Sequence, residues 1–169
     1  MSGPGLMEVY VSAGSNVDPE NNLRLACSEL EELCGSLSRS SVYRTKAIGF
    51  DGNDFLNMVI SFATSLSLDE MITELERIET LSGRRHDASS FSSRTLDLDL
   101  LLYGEQIVDS PRISLPRADI MKYAFVLGPM AELAPGLRHP SSGKTMGELW
   151  AVFDSSAQPI QRLANSPLN

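Results

Sequence analysis

The chain has 169 residues, 42% of them hydrophobic and 21% charged, which predicts a single domain over 1–169 with a sizeable core. Its formal net charge of −8 excludes nucleic acid as an expected partner, because neutralising a phosphate backbone requires a basic surface. The sequence contains no apolar run of 18 residues and opens without the pattern of a secretory leader, so we expect a cytoplasmic protein without a membrane partner.

The first predicted elements are a strand and a helix. A short apolar strand at 7–14 is followed by a turn, and Pro19 begins a helix. Apolar residues then recur at helical spacing as far as Cys34, and Gly35 stands where a C-terminal cap is expected.

Two strands and a second helix are predicted next. Residues 36–45 and 54–65 have the composition and alternation of strands, and the loop at 46–53 between them contains two glycines. Ser67 is the predicted N-cap of a helix that ends before Gly83, with acidic residues in its first turn.

A further strand and a shorter tail complete the predicted order. Residues 86–93 are rich in serine and lack a period, so they form a predicted loop before a strand at 95–104 with a hairpin partner at 106–108. This βαββαβ order predicts an α+β fold with a ferredoxin-like core, in which helices pack on an antiparallel sheet. The core is expected at about 8–150, followed by a C-terminal extension at about 151–169.

The stretch SGKT at 142–145 resembles the end of a phosphate-binding P-loop. That motif requires a glycine where Arg138 stands, and it follows a strand, whereas His139 and Pro140 precede this stretch. We therefore predict a surface turn that leads into a helix at 146–153.

Asp97 and Asp99 form a pair of carboxylates in the strand RTLDLDLLLYG. Because side chains alternate along a strand, both carboxylates are expected on one face, about 7 Å apart at the backbone, with the leucines on the other. Two carboxylates together with phosphate oxygens are ligands that magnesium commonly accepts. An ordinary amphipathic strand with a solvated face is the alternative that these two residues leave open.

Arginines flank this strand in the sequence. Arg84 and Arg85 precede it, as does Arg94, while Arg112 follows it, and the guanidinium group matches phosphate oxygens two at a time. Arg84 and Arg85 also stand at a predicted helix C-terminus, where the helix dipole favours basic residues without any ligand.

Five stretches together resemble the family of 6-hydroxymethyl-7,8-dihydropterin pyrophosphokinases of folate biosynthesis. They are YVSAGSN, VYRTKAIG, DFLN, ERIE followed by GR, and RTLDLDLLLYG, in the family's order over about 8–150. The resemblance implies a ferredoxin-like monomer that transfers pyrophosphate from ATP to the hydroxymethyl group of the pterin and releases AMP. It also implies two magnesium ions, with ATP as co-substrate.

The resemblance further implies roles for individual residues. It places two magnesium ions on Asp97 and Asp99, and adds Arg84 and Arg94 to the catalytic set. The implied pterin contacts are Thr45, Ile48, Phe55, Asn57 and Phe125. The implied ATP contacts are Glu76, Glu79, Arg84, Phe91, Arg94, Leu100, Arg112, Ser114 and Arg117.

The stretch PRADIMKYAF departs from the family pattern. Arg117 stands where the pattern has a histidine, and Tyr123 stands where it has an arginine. The alternative function is therefore a divergent member that binds pterin or nucleotide with weak or no catalysis. A ferredoxin-like interaction domain without a small-molecule site is a third alternative.

Overall fold

The computed structural model describes residues 5–46, 53–83 and 96–168. Its strands are β1 Met7–Ser15, β2 Ser38–Arg39, β3 Tyr43–Thr45, β4 Phe55–Thr64, β5 Asp97–Tyr103, β6 Val108–Asp109, β7 Ser114–Leu115 and β8 Gln161–Arg162. Its helices are α1 Pro19–Cys34, α2 Leu68–Leu81, α3 Asp119–Lys122, α4 Ala124–Leu133 and α5 Met146–Val152. Among these helices none combines the length and apolarity needed to span a bilayer.

An antiparallel sheet forms the centre of the molecule. Its strand order is β5-β1-β4-β3-β8, and β2 also pairs with β4. The two longest strands, β1 and β4, pair over nine residues from Met7 opposite Thr64 to Ser15 opposite Leu56. With α1 and α2 in the connections, this arrangement confirms the predicted α+β, ferredoxin-like fold.

The first two helices cover one face of the sheet. Leu23 and Leu30 of α1, with Met71 and Ile78 of α2, are fully buried in one cluster with inward-facing residues of β1, β4 and β5. Burying each such side chain is worth about 1.5–3 kcal/mol. The predicted cap of α2 is confirmed, because the Ser67 side chain and backbone exchange hydrogen bonds with the third residue of the helix.

A second group of helices covers the opposite face. Val126 and Met130 of α4 pack with Leu149 of α5 against Tyr10 and Val59 of the sheet. The sequence pattern does not predict α4, because this helix is apolar on nearly all sides and therefore has no amphipathic period. The predicted helix after the SGKT stretch is confirmed as α5, which Thr145 caps.

Two strand predictions are wrong in detail. The strand predicted at 36–45 is two short strands, because Ser40 interrupts it and bonds to Val59 through both its backbone and its side chain. The hairpin predicted between β5 and 106–108 does not form, and β6 pairs with β7 instead. The outer edge of β5 is already occupied, since Leu98 donates to a side chain of α2 and Leu101 accepts from the Arg117 amide.

Candidate active site

One row of residues crosses the sheet from the carboxylate strand to the strand of the predicted pterin contacts. Gly14 of β1 pairs with Asp97 of β5 on one side and with Asn57 of β4 on the other, and Asn57 pairs with Tyr43 of β3. Neighbouring strands lie about 4.8 Å apart, so the backbones of Asp97 and Asn57 are separated by about 10 Å. A glycine therefore stands between two polar side chains on the same face.

Asp97 and Asp99 project from β5 to the face opposite α1 and α2. Both are partly exposed, whereas Leu98 and Leu100 between and after them are buried in the helix-covered core, as the alternation predicted. Over the ranges that the structure describes, no group of three or more acidic, histidine or cysteine side chains forms a metal cage. The pair fits a magnesium site that completes its coordination with phosphate oxygens and water.

Arg117 lies against this carboxylate pair. Its guanidinium is 3.6 Å from Asp99 Oδ1, and its Nε donates to Asp119 Oδ2 at 3.1 Å. Burial alone would lower the pKa of Arg117, but Asp99 and Asp119 outweigh it and raise that pKa. A predicted ATP contact thus stands as a fixed positive charge beside the predicted metal ligands.

Glu79 of α2 is a buried carboxylate behind the same strand. Its side chain is 6% exposed, and Oε2 accepts a hydrogen bond from the Leu98 amide at 2.8 Å. Leu98 lies between the two aspartates, so Glu79 fixes the backbone from which both carboxylates project. The sequence singled out Glu79 only through the family resemblance, because a buried acid on the apolar side of a helix has no signal of its own.

Arg112 and Glu76, two other predicted ATP contacts, lie close together on the surface. Arg112 Nη2 is 3.6 Å from Glu76 Oε1 and donates to Thr73 Oγ1 at 3.1 Å, and Nη1 is 3.4 Å from Asp69. These groups are exposed, so the pairs stabilise the fold weakly and an incoming polyanion can replace them. Ser114 is exposed on the short strand β7.

Thr45 and Asn57, two predicted pterin contacts, bond to each other. Asn57 Nδ2 donates to Thr45 Oγ1 at 2.9 Å, and Phe55 pairs with Thr45 across the strands. A Cβ at Gly14 would lie only 2.8 Å from Asn57 Oδ1, closer than such atoms approach in proteins. Glycine at position 14 therefore leaves the Asn57 amide in its present position, which the sequence alone does not reveal because it depends on the strand register.

Phe125, the other predicted pterin aromatic, lies in the first turn of α4. Its ring stacks on Tyr123, with ring centroids 5.1 Å apart and an angle of 22° between the planes. The Lys122 Nζ lies 5.3 Å from the Tyr123 ring centroid. Tyr123, which departs from the family pattern, therefore contributes an aromatic surface where an arginine was expected.

Five predicted site residues remain to be placed. Leu100 is 3% exposed, and its side chain lies in the core on the helix-covered face of the sheet. The other four lie outside the described residues, and they are Ile48, Arg84, Phe91 and Arg94.

Comparison with known proteins shows which family this site belongs to. The family model of 7,8-dihydro-6-hydroxymethylpterin-pyrophosphokinase (HPPK) matches residues 10–135, a range that contains every described site residue named above. The chain belongs to this family. As an HPPK family member it is an ATP-dependent diphosphotransferase of folate biosynthesis, with ATP as co-substrate.

Curated HPPK relatives match most of the chain. The 2-amino-4-hydroxy-6-hydroxymethyldihydropteridine pyrophosphokinase of Pseudomonas aeruginosa is 37% identical over 151 residues, covering 87% of this chain and 92% of the relative. The enzyme of the same name from Haemophilus influenzae is 35% identical over 141 residues, covering 81% of this chain and 88% of the relative.

Solved HPPK structures share the fold. The HPPK-DHPS of Plasmodium falciparum with pteroate superposes with a TM-score of 0.70 at 12% identity, covering 89% of this chain. This chain spans only 43% of that protein, and the likeness supports the fold rather than any shared ligand.

Proposed function

We propose that the protein transfers the terminal diphosphate of ATP to the hydroxymethyl oxygen of 6-hydroxymethyl-7,8-dihydropterin, as a monomer. The observation that carries the proposal is the row formed by Asp97, Gly14 and Asn57 on one face of the sheet. Along this row the backbone of Asp97, a proposed metal ligand, lies about 10 Å from that of Asn57, whose amide can bind the polar edge of a heterocycle. A pterin ring with its exocyclic alcohol bridges such a distance.

Asp97 and Asp99 would hold two magnesium ions. The ions would supply charge neutralisation for the phosphates and a lowered pKa of the attacking alcohol. The protein's own contribution is rigidity, because Glu79 fixes the strand between the two aspartates and Asp99 is oriented by Arg117. Release of AMP follows from attack on the β-phosphorus, which breaks the bridge between the α- and β-phosphates.

Basic residues on the carboxylate side would bind the triphosphate. Arg117 would contribute from beside Asp99, and Arg112 from the surface of α2, where it pairs with Asp69. Glu76 would orient Arg112, with which it pairs. From the family resemblance we add Arg84, Arg94 and Phe91 as ATP contacts, and Glu79, Leu100 and Ser114 as contacts of the nucleotide.

Aromatic and amide groups on the other side would bind the pterin. Phe55 and Phe125 would enclose the ring, and π-faces of this kind bind flat heterocycles through stacking. Asn57 would read the polar edge of the ring, held in orientation by its bond to Thr45. Ile48 is added from the family resemblance.

A binding protein with weak catalysis is the second candidate. Two observations favour it, namely the Arg117 ion pair with Asp99 and the Tyr123 ring in place of an arginine. Calorimetry distinguishes the two candidates. Pterin binding without turnover at saturating ATP and magnesium would support the second, and brisk turnover would eliminate it.

AMP release tests the proposed transfer directly. With ATP and magnesium, AMP should form only when the pterin alcohol is present. Asp97→Asn should lower the rate at least about a hundredfold, because metal-based charge stabilisation is worth several kcal/mol. Glu32→Gln, which removes a carboxylate charge from the exposed surface of α1 on the opposite face of the sheet, is the control and should leave the rate unchanged. An equal rate in the two variants would refute the assigned metal role.

A further inference from the structure

The C-terminal segment, defined here as residues 153–168, reaches the strand that carries a proposed pterin contact. Its strand β8 pairs antiparallel with β3, Arg162 opposite Tyr43, and the Leu163 amide donates to the Val42 carbonyl at 2.9 Å. Thr45 lies at the end of β3, two residues beyond the paired Tyr43. The HPPK family match ends at residue 135, so this segment lies beyond it.

Gln158 of the same segment bonds to the junction between α3 and α4. Its Oε1 accepts from the Ala124 amide at 3.0 Å, and its Nε2 donates to the Lys122 carbonyl at 3.1 Å. Ala124 is fully buried, and its amide belongs to the first turn of α4, where backbone donors lack helical partners. The adjacent cap residue Tyr123 forms no side-chain cap bond, so Gln158 supplies the cap from 34 residues away.

These two bonds hold the backbone on both sides of Tyr123. A glutamine amide offers one acceptor and a donor in a fixed plane, which matches the Ala124 amide and the Lys122 carbonyl together. Phe125 follows Ala124 directly, and its ring stacks on Tyr123. Any rotation of this junction would therefore turn both rings of the stack.

Further contacts of the segment fix the position of α4. Ile160 lies so close to Gly128 that a Cβ there would be 2.8 Å from Ile160 Cδ1. At the other end of α4, Glu132 accepts from the Tyr43 hydroxyl at 2.8 Å and lies 3.5 Å from the Arg162 guanidinium. The segment thus contacts α4 near both ends and β3 along its edge.

We propose that Gln158 is a positioning residue that aims the Tyr123–Phe125 stack at the pterin ring. The proposal rests on the proposed pterin transfer and assigns to the C-terminal segment a part in substrate binding. Gln158 is not proposed to contact a substrate. It acts through the backbone of the junction, so its loss should affect pterin affinity more than ATP affinity.

Fluorescence titration with 6-hydroxymethylpterin tests the proposal in the full chain. Gln158→Ala should raise the pterin dissociation constant about tenfold, while the dissociation constant for magnesium and a non-hydrolysable ATP analogue stays within about twofold. Gln161→Ala is the matched control, because it removes the same amide from an exposed side chain three residues away. It should leave both constants unchanged.

A conservative variant separates positioning from folding. Gln158→Glu keeps the acceptor for the Ala124 amide but loses the donor to the Lys122 carbonyl, so it should fold and weaken pterin binding about threefold. If Gln158→Ala does not fold, Gln158→Glu tests the proposal in its place. A pterin affinity of Gln158→Glu equal to that of Gln161→Ala would overturn the proposal. If the wild-type protein does not bind the pterin, both the role of Gln158 and the proposed function are overturned.

Discussion

Gly14 lies between Asp97, a proposed metal ligand, and Asn57, a proposed pterin contact, and its lack of a side chain leaves room for the Asn57 amide. In Gly14→Ala the new methyl would lie 2.8 Å from Asn57 Oδ1, so the amide must turn away from its present position. We expect pterin affinity, measured by calorimetry, to fall about tenfold, comparable to one misplaced hydrogen-bonding group. Affinity for the ATP analogue should change little.

Gly136→Ala is the control for this substitution, because a Cβ at Gly136 would meet no atom within 4 Å. Its pterin affinity should equal that of the wild type. If both variants bind pterin like the wild type, the Asn57 amide does not contact the ring in the way proposed.

Individual site residues differ in how far the sequence could predict them. The faces of Asp97 and Leu98 follow from strand alternation, which needs no tertiary information. The demand for glycine at position 14 depends on the register between β1 and β4, and the burial of Glu79 depends on how α2 packs against β5. The role of Gly14 and the burial of Glu79 both depend on tertiary contacts, so local sequence patterns do not predict them.

Glu79 connects two elements, α2 and β5, and accepts a buried hydrogen bond from the Leu98 amide. Glu79→Ala should lower the free energy of unfolding by about 1–3 kcal/mol, because it leaves that buried amide without its acceptor. Glu79→Gln retains an oxygen acceptor and should lose less than half as much. Urea denaturation measures both. Equal losses in the two variants would show that the carboxylate charge, rather than the bond to β5, stabilises the fold.

His139 holds the turn between α4 and α5. Its Nδ1 accepts from the Ser141 and Ser142 amides at 3.2 and 3.1 Å, and burial lowers the pKa of His139. The unfolded chain, with a histidine pKa of about 6.5, therefore binds the proton more tightly than the folded protein does. Stability from this group is present above about pH 6.5 and is lost as the pH falls below it.

The thermal midpoints of wild type and His139→Ala, measured from pH 7.5 to 5.5, test this prediction. The gap between them should be largest at pH 7.5 and shrink toward pH 5.5. A constant gap would mean that the neutral imidazole is not what holds the turn.

On the scale of the whole molecule, the sequence predicted the ferredoxin-like order because α1 and α2 have a helical period and are followed by Gly35 and Gly83, and because β4 and β5 alternate. On the second helical face the sequence predicted α5 but not α4, since α4 is apolar on nearly all sides and contains Pro129. The strand β8 depends on its pairing with β3, which is distant in sequence, so it has no local pattern. The strands β6 and β7 form a short local hairpin of two residues each, too short to show a period. The C-terminal segment was expected as an extension, but its contact with the pterin side was not.

Phosphorus NMR of the reaction products determines which phosphoryl group the protein transfers, and to which acceptor. With ATP, magnesium and 6-hydroxymethyl-7,8-dihydropterin, we expect equal amounts of AMP and of a pterin diphosphate. The two phosphorus signals of the pterin diphosphate should be coupled to each other. Production of ADP with a pterin monophosphate, or of AMP with free pyrophosphate and unchanged pterin, would contradict the assignment of this site to diphosphate transfer.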